Sequence, residues 1–155
     1  MKTPVMEKLD GLEISYTVRP HRKPVYTSQD AARERGVRLS QIVKTMVLMD
    51  RDGNMVGAVL PGNCRLDLKE IKKLLGMKDL RLSDKETVER RLGLVAGAIA
   101  PIAELFHGLP MVVDPAVFEE DFVDISSGDP CAGLELSQQD LKVLLKGCKI
   151  AKITK

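Results

Sequence analysis

Aromatic residues are nearly missing from this sequence: they make up 3% of it, with no Trp, two Tyr and three Phe. Its core must therefore be aliphatic, and a sheet surface that holds RNA by stacking several bases on aromatic rings is excluded. Cysteine is scarce as well. Cys64, Cys131 and Cys148 are widely spaced and form no Cys-x-x-Cys pair, which argues against a disulfide framework or a zinc site and fits reduced thiols in a cytoplasmic protein. Histidine is limited to His21 and His107, too few and too far apart for a histidine-rich metal centre. No apolar run is long enough to cross a bilayer, and the opening Met-Lys-Thr-Pro-Val-Met-Glu-Lys lacks the apolar segment of a signal peptide. Neither a Gly-x-x-x-x-Gly-Lys-Ser/Thr phosphate loop nor a Gly-x-Ser-x-Gly elbow is present. An excess of one charge is missing too: 24 basic and 22 acidic residues leave a net +2, so any nucleic-acid contact must be local.

What is present fits one compact domain over residues 1–155, with 44% hydrophobic and 30% charged residues. Helical and strand periods alternate along the chain, the pattern of a mixed α/β domain. A short helix is predicted over 5–12 and a strand over Glu13–Val18, followed by the basic, proline-broken loop Arg19–Pro24. Thr27 or Ser28 can cap a helix running to Arg35, with Gly36 placed to end it. Ser40–Met49 leads into a strand, Asp50–Asn54 is a turn, and Met55–Leu60 returns as the second arm of a hairpin. Leu68, Ile71, Leu74 and Leu75 share one face of a helix predicted over Asp67–Leu75 and closed by Gly76. Ser83 opens a capping box for another, reaching Leu92. Short strands follow at Met111–Val113, Val123–Ser126 and Leu134–Leu136, then a helix from Ser137 that Gly147 ends, and a final strand over Lys149–Thr154.

Lys44 is a lone charge inside the apolar run Ile42-Val43-Lys44-Thr45-Met46-Val47-Leu48-Met49. Two readings fit it: an ammonium held in place for a phosphate or an oxyanion, or a lysine whose stem lies along apolar surface on an edge strand. Gly97 to Pro101 forms a tight, small-residue bend that would let a ligand approach backbone N–H groups, and it is equally an ordinary turn. Ser126-Ser127-Gly128-Asp129-Pro130 combines hydroxyls, a glycine and a carboxylate suited to orienting water or a polar group, again within ordinary turn composition. Lys142, Lys146, Lys149, Lys152 and Lys155 give the C-terminal region a basic face, either solubilising or in contact with a nucleic-acid backbone.

Taken in order, a helix ending in Gly36, Ile42-Val43-Lys44-Thr45 entering a hairpin, Gly97 to Pro101 with its G-x-x-x-P spacing, the Ser126-Gly128 loop and Leu134-Glu135-Leu136 before Asp140-Leu141 resemble the YbaK/ProX family of aminoacyl-tRNA deacylases, the prolyl-tRNA editing domain. The resemblance covers about residues 12–146. It implies a single α/β domain with a central, strongly curved mixed sheet flanked by helices. It also implies hydrolysis in trans of the ester bond of tRNA carrying a wrong small amino acid such as alanine or cysteine, with tRNA(Pro) as the first candidate.

Carried over by position, the resemblance makes Lys44 the residue that engages the terminal adenosine or its phosphate. Gly97, Ala98, Ile99 and Pro101 would shape the amino-acid pocket, Gly97 presenting backbone N–H groups. Ser126 and Gly128 would face them, with Ser127 and Asp129 in the same loop. Lys44, Gly97, Ser126 and Gly128 are the candidate catalytic set. No metal and no cofactor is implied, because an aminoacyl ester is already activated and asks only for positioning and oxyanion stabilisation. The expected partners are the aminoacylated 3′ end of tRNA and, as a further candidate, an aminoacyl-tRNA synthetase. The chain departs from the family pattern at Ala98-Ile99-Ala100, which implies a pocket floor that is narrower or more apolar, and at Gly133, where many bacterial members place an aspartate. Two alternatives stand beside a deacylase: a module of the same fold that binds a tRNA end or nucleotide without turnover, and a hydrolase of another small activated ester.

Overall fold

Helix starts and stops are set locally, by side chains that satisfy the free backbone groups at each end. The structure, a computed structural model, describes residues 2–155. Thr3 Oγ1 accepts from Met6 N at the start of α1 (Pro4–Gly11), and Thr27 Oγ1 accepts from Asp30 N ahead of α2 (Ser28–Arg35). Asp67 caps α3 (Leu68–Leu75), and Gly36 and Gly76 end α2 and α3 in the left-handed conformation. In α4 (Lys85–Leu92) the cap is Asp84, whose Oδ1 accepts from Thr87 N at 2.8 Å, one residue later than the Ser83 box predicts. Ser137 caps α5 (Gln138–Leu144) as expected, but the helix ends at Leu144 with Leu145 as its C-cap, ahead of Gly147.

The strands are β1 (Thr17–Pro20), β2 (Val43–Met49), β3 (Met55–Pro61), β4 (Arg81–Leu82), β5 (Met111–Val113), β6 (Phe122–Ser126), β7 (Ala132–Ser137) and β8 (Lys149–Ile150). Five form a mixed sheet in the order β4-β2-β3-β5-β8, and three form an antiparallel sheet in the order β1-β7-β6. The sheets meet at one parallel bridge between Ile42 and Asp124. The predicted β2–β3 hairpin is present in full register, from Val43 opposite Pro61 to Met49 opposite Met55. Asp50 pins its turn, Oδ1 accepting from Asn54 N at 2.8 Å and Asp52 N at 3.0 Å.

Two strands are shorter than their alternation predicts. Glu13 takes a left-handed φ of 58° and Ile14 N turns back to Leu9 O, so β1 begins only at Thr17. At the other end, β8 stops at Ile150. Ile153 N and Thr154 Oγ1 each donate to Asp114 Oδ2 at 2.9 Å, and Thr154 forms an isolated bridge to Leu66.

All seven residues of β3 are buried because its two faces pack into separate aliphatic clusters. One holds Val43, Val47, Met55 and Val59; the other holds Leu48, Val56, Ala58, Leu60 and Ile71. The period of two along β2 therefore sends Lys44 to the face of Leu60 and Ile71, and Thr45 to the opposite one. Among the described residues no helix is long and apolar enough to cross a membrane.

Candidate active site

A strand with a neighbour on one side only leaves half of its peptide groups free. Gly62 N donates to Ile42 O at 2.7 Å, so the even-numbered residues of β2 exchange hydrogen bonds with β3 and the odd-numbered ones turn theirs outward. On that outer edge β4 pairs only with Leu48 and Met49, and β6 forms a backbone bridge only to Ile42, just before β2. Val47 O finds Ser83 N at 2.9 Å, which leaves a gap at Val43 to Thr45. A cavity of about 340 Å³ opens there.

Lys44 lies on its wall, half-buried, with Nζ donating to Cys64 O at 2.9 Å. Burial pushes its ammonium below the ordinary lysine range, with Cys64 acting the other way. The Gly97 bend closes the cavity from a second side. Gly97 has φ +88°, and a Cβ built on it would lie 2.7 Å from Tyr26 O, so the loop and the segment before α2 meet backbone to backbone. Ile99 also lines the cavity, with Val25, Val43 and Val47 giving it an apolar wall. Ser126 comes from the end of β6, its Oγ accepting from Gly128 N at 3.1 Å.

Lys44, Gly97, Ile99 and Ser126 thus converge on one space. Ala98, Pro101, Ser127, Gly128 and Asp129 are outside its lining. Ala98 and Pro101 are buried behind the bend, where Ala98 N closes a turn on Val95 O at 2.9 Å. Ser127 is fully buried and occupied by its own loop: Oγ donates to Ala132 O at 2.6 Å and accepts from Asp129 N at 3.2 Å. Asp129 is exposed, and its Oδ1 accepts from Cys131 N at 2.8 Å. The loop as a whole braces the cavity wall, because Val25 N donates to Pro130 O and His21 N to Cys131 O.

Two buried charged residues at the site are absent from the sequence-predicted set, as is the exposed Lys85 at its rim. Arg35 and Asp124 line the cavity with side chains only 5% and 1% exposed, and Arg35 Nη1 donates to Asp124 Oδ1 at 2.7 Å. Burial pushes the Asp124 carboxyl up to about 6 while Arg35 pulls it down. Asp124 carries the same signal as Lys44, a charge within the apolar alternation Phe122-Val123-Asp124-Ile125. Arg35 carries none, because it sits on a polar helix and is buried only by a strand far along the chain. Gly133 belongs to this pair. A Cβ on it would lie 2.5 Å from Arg35 Nε, so the guanidinium fills the space a side chain would take. Thr45 Oγ1 and Ser83 Oγ, at the gap in the β2 edge, have no hydrogen-bond partner among the described residues.

Comparisons with known proteins show what this chain is similar to. The prolyl-tRNA editing protein ProX of Acetoanaerobium sticklandii is 28% identical over 149 residues, covering 94% of this chain and 90% of that protein. A putative Cys-tRNA(Pro)/Cys-tRNA(Cys) deacylase, EbsC of Enterococcus faecalis, is 27% identical over 128 residues, covering 83% of this chain and 77% of its own. Among solved structures, the hypothetical protein APE2540 superposes with a TM-score of 0.85 at 29% identity, over 97% of this chain and 99% of that one. Residues 22–144, which span every cavity-lining residue named above, match the aminoacyl-tRNA editing domain, and the chain belongs to that family.

Proposed function

We propose that this protein is a cofactor-free aminoacyl-tRNA deacylase that acts in trans on tRNA mischarged with a small amino acid such as alanine or cysteine, tRNA(Pro) being the first candidate. The observation that carries the reading is the convergence of Lys44, Gly97 and Ser126 on one small cavity at the open edge of β2. ProX and EbsC are named for prolyl-tRNA editing and for deacylation of Cys-tRNA, which supports the same class of substrate.

In this reading Lys44 anchors the nucleotide end as a fixed cation, and its lowered basicity marks a partly desolvated charge that gains from an anionic partner. The amino-acid side chain enters the apolar wall of Val25, Val43, Val47 and Ile99, which rejects large residues by shape. Outward-facing peptide groups at the open β2 edge would supply N–H donors for the developing oxyanion. Because the substrate is an activated ester, a positioned water or a substrate hydroxyl suffices as nucleophile. A synthetase partner would supply the tRNA affinity that a net charge of +2 does not. Gly133 gives no support to a module without turnover, since packing against Arg35 already accounts for it.

The test is a panel of tRNAs charged with alanine, cysteine, serine and proline, incubated with the wild type and with Lys44→Ala. Release of a small amino acid by the wild type, reduced at least about tenfold in kcat/KM by loss of a charged contact in Lys44→Ala, is the expected result. Binding of uncharged tRNA with no release from any member of the panel would replace the deacylase with a binding module.

A further inference from the structure

The cavity is lined by a single carboxylate, and half of it is unpaired. Asp124 Oδ1 is committed to Arg35, while Oδ2 is buried and has no hydrogen-bond partner among the described residues. The other charged side chains lining the cavity, Lys44, Lys85 and Arg35, are all cations. The carboxylate is also held firmly from behind. Arg35 Nε donates to His21 Nε2 at 3.2 Å, and His21 Nδ1 lies 2.7 Å from Lys23 O, so Nδ1 carries the ring proton and Nε2 is free to accept. Gly133 removes the side chain that would push Arg35 away.

Stability alone does not account for such an arrangement. Desolvation offsets most of the Coulomb attraction in a buried ion pair, and a buried acceptor without a donor adds a further cost. An orphaned anionic acceptor in a ligand cavity calls for a cationic donor from the ligand. An aminoacyl ester brings one such group, its α-ammonium.

We propose that Asp124 Oδ2 receives the α-ammonium of the bound aminoacyl group, so that Asp124 distinguishes a free aminoacyl ester from an ester without a free amine. The inference rests on the deacylase reading and adds to it the residue that recognises the amine. Asp124 pairs with Ile42, two positions before Lys44 in the chain, and both charged residues line the same cavity. Around Asp124 stand Arg35 from α2, Arg19 from β1 and Glu135 from β7, the last directly opposite and ion-paired to Arg19. With its carboxyl raised to about 6 by burial, Asp124 is an anion at neutral pH and loses that charge in mild acid.

The experiment compares kcat/KM for one aminoacyl-tRNA and for the same tRNA carrying the N-acetylated amino acid. The wild type is expected to favour the free amine by at least about tenfold, the scale of one charge-assisted hydrogen bond. In Asp124→Asn that ratio should collapse toward one, and in the wild type it should shrink as pH falls below about 6. Should the single variant fail to fold, Arg35→Gln/Asp124→Asn, which neutralises both partners, is used for the same comparison. Equal hydrolysis of both esters by the wild type, or an equal loss on both in the variant, overturns the role of Asp124 and leaves the deacylase reading standing. A wild type that hydrolyses neither ester overturns the deacylase reading itself.

Discussion

Gly97→Ala tests the contact that closes the cavity. Two costs add at this position. Its φ of +88° is one that L residues disfavour by about 1–2 kcal/mol. The new Cβ would also lie 2.7 Å from Tyr26 O and 3.0 Å from Tyr26 Cα, backbone atoms that move only if the segment before α2 moves, an overpacking cost of about 1–3 kcal/mol. The restricted unfolded chain returns about 0.4–1 kcal/mol, leaving a net loss of about 3 kcal/mol.

Gly76→Ala is the matched control. Gly76 has φ +63° with nothing within 4 Å of the built Cβ, so it carries the backbone cost without the collision and should lose about 1 kcal/mol or less. At about 2–4 °C per kcal/mol for a domain of this size, Gly97→Ala should melt about 6–12 °C below wild type and Gly76→Ala only about 2–4 °C below. Thermal unfolding followed by circular dichroism reads the difference, and deacylation should fall in Gly97→Ala alone because Tyr26 and Gly97 both line the cavity. If the two variants melt within about 2 °C of each other, the backbone contact with Tyr26 is not what demands glycine at 97.

Two further predictions concern pH, and they run in opposite directions. Asp114 is 2% exposed. Burial works against its charge, but donations from Ala116 N, Ile153 N and Thr154 Oγ1, each at 2.9 Å, hold its carboxyl below the ordinary range. Its contribution is therefore present above the ordinary Asp value and is lost as pH falls through the lowered one. Asp114→Ala should cost about 3 kcal/mol near pH 7, with the gap to wild type narrowing below about pH 4 in urea titrations; a gap that does not change would refute it. Asp124 behaves conversely. Its carboxyl is raised by burial to about 6, so the folded state holds that proton more tightly than the unfolded chain does. The stability this contributes is complete below about pH 4 and lost as pH rises through about 6, up to about 3 kcal/mol in all. Relative to Asp124→Asn, the wild type should lose stability between about pH 4 and about pH 6.5, and a pH-independent difference would show that the carboxyl titrates normally.

The sequence by itself determined the elements whose signals are local. Thr27, Asp67, Gly36 and Gly76 mark helix ends because capping and left-handed glycine are decided within one turn of the chain. Asp50 to Asn54 marks the hairpin for the same reason, and the period of two along β2 and β3 divides their side chains between two clusters. Lys44, the Gly97 bend and the Ser126 loop were legible as candidates because a charge or a glycine in an apolar run stands out without knowledge of its neighbours. The division into two sheets was not, nor was the early stop of β8, which Asp114 enforces from outside the strand.

Only the tertiary structure decided that β6 bridges to Ile42, just before β2, and β4 pairs with Leu48 and Met49, leaving between them the gap that becomes the cavity. Strand pairing of that kind is set by long-range packing, and no local pattern in Val43 to Thr45 encodes the absence of a neighbour. The same holds for the site's second pair of charges. Asp124 is 89 residues from Arg35, and the buried contact between them depends on the bare Cα of Gly133, so chain topology alone assembles it.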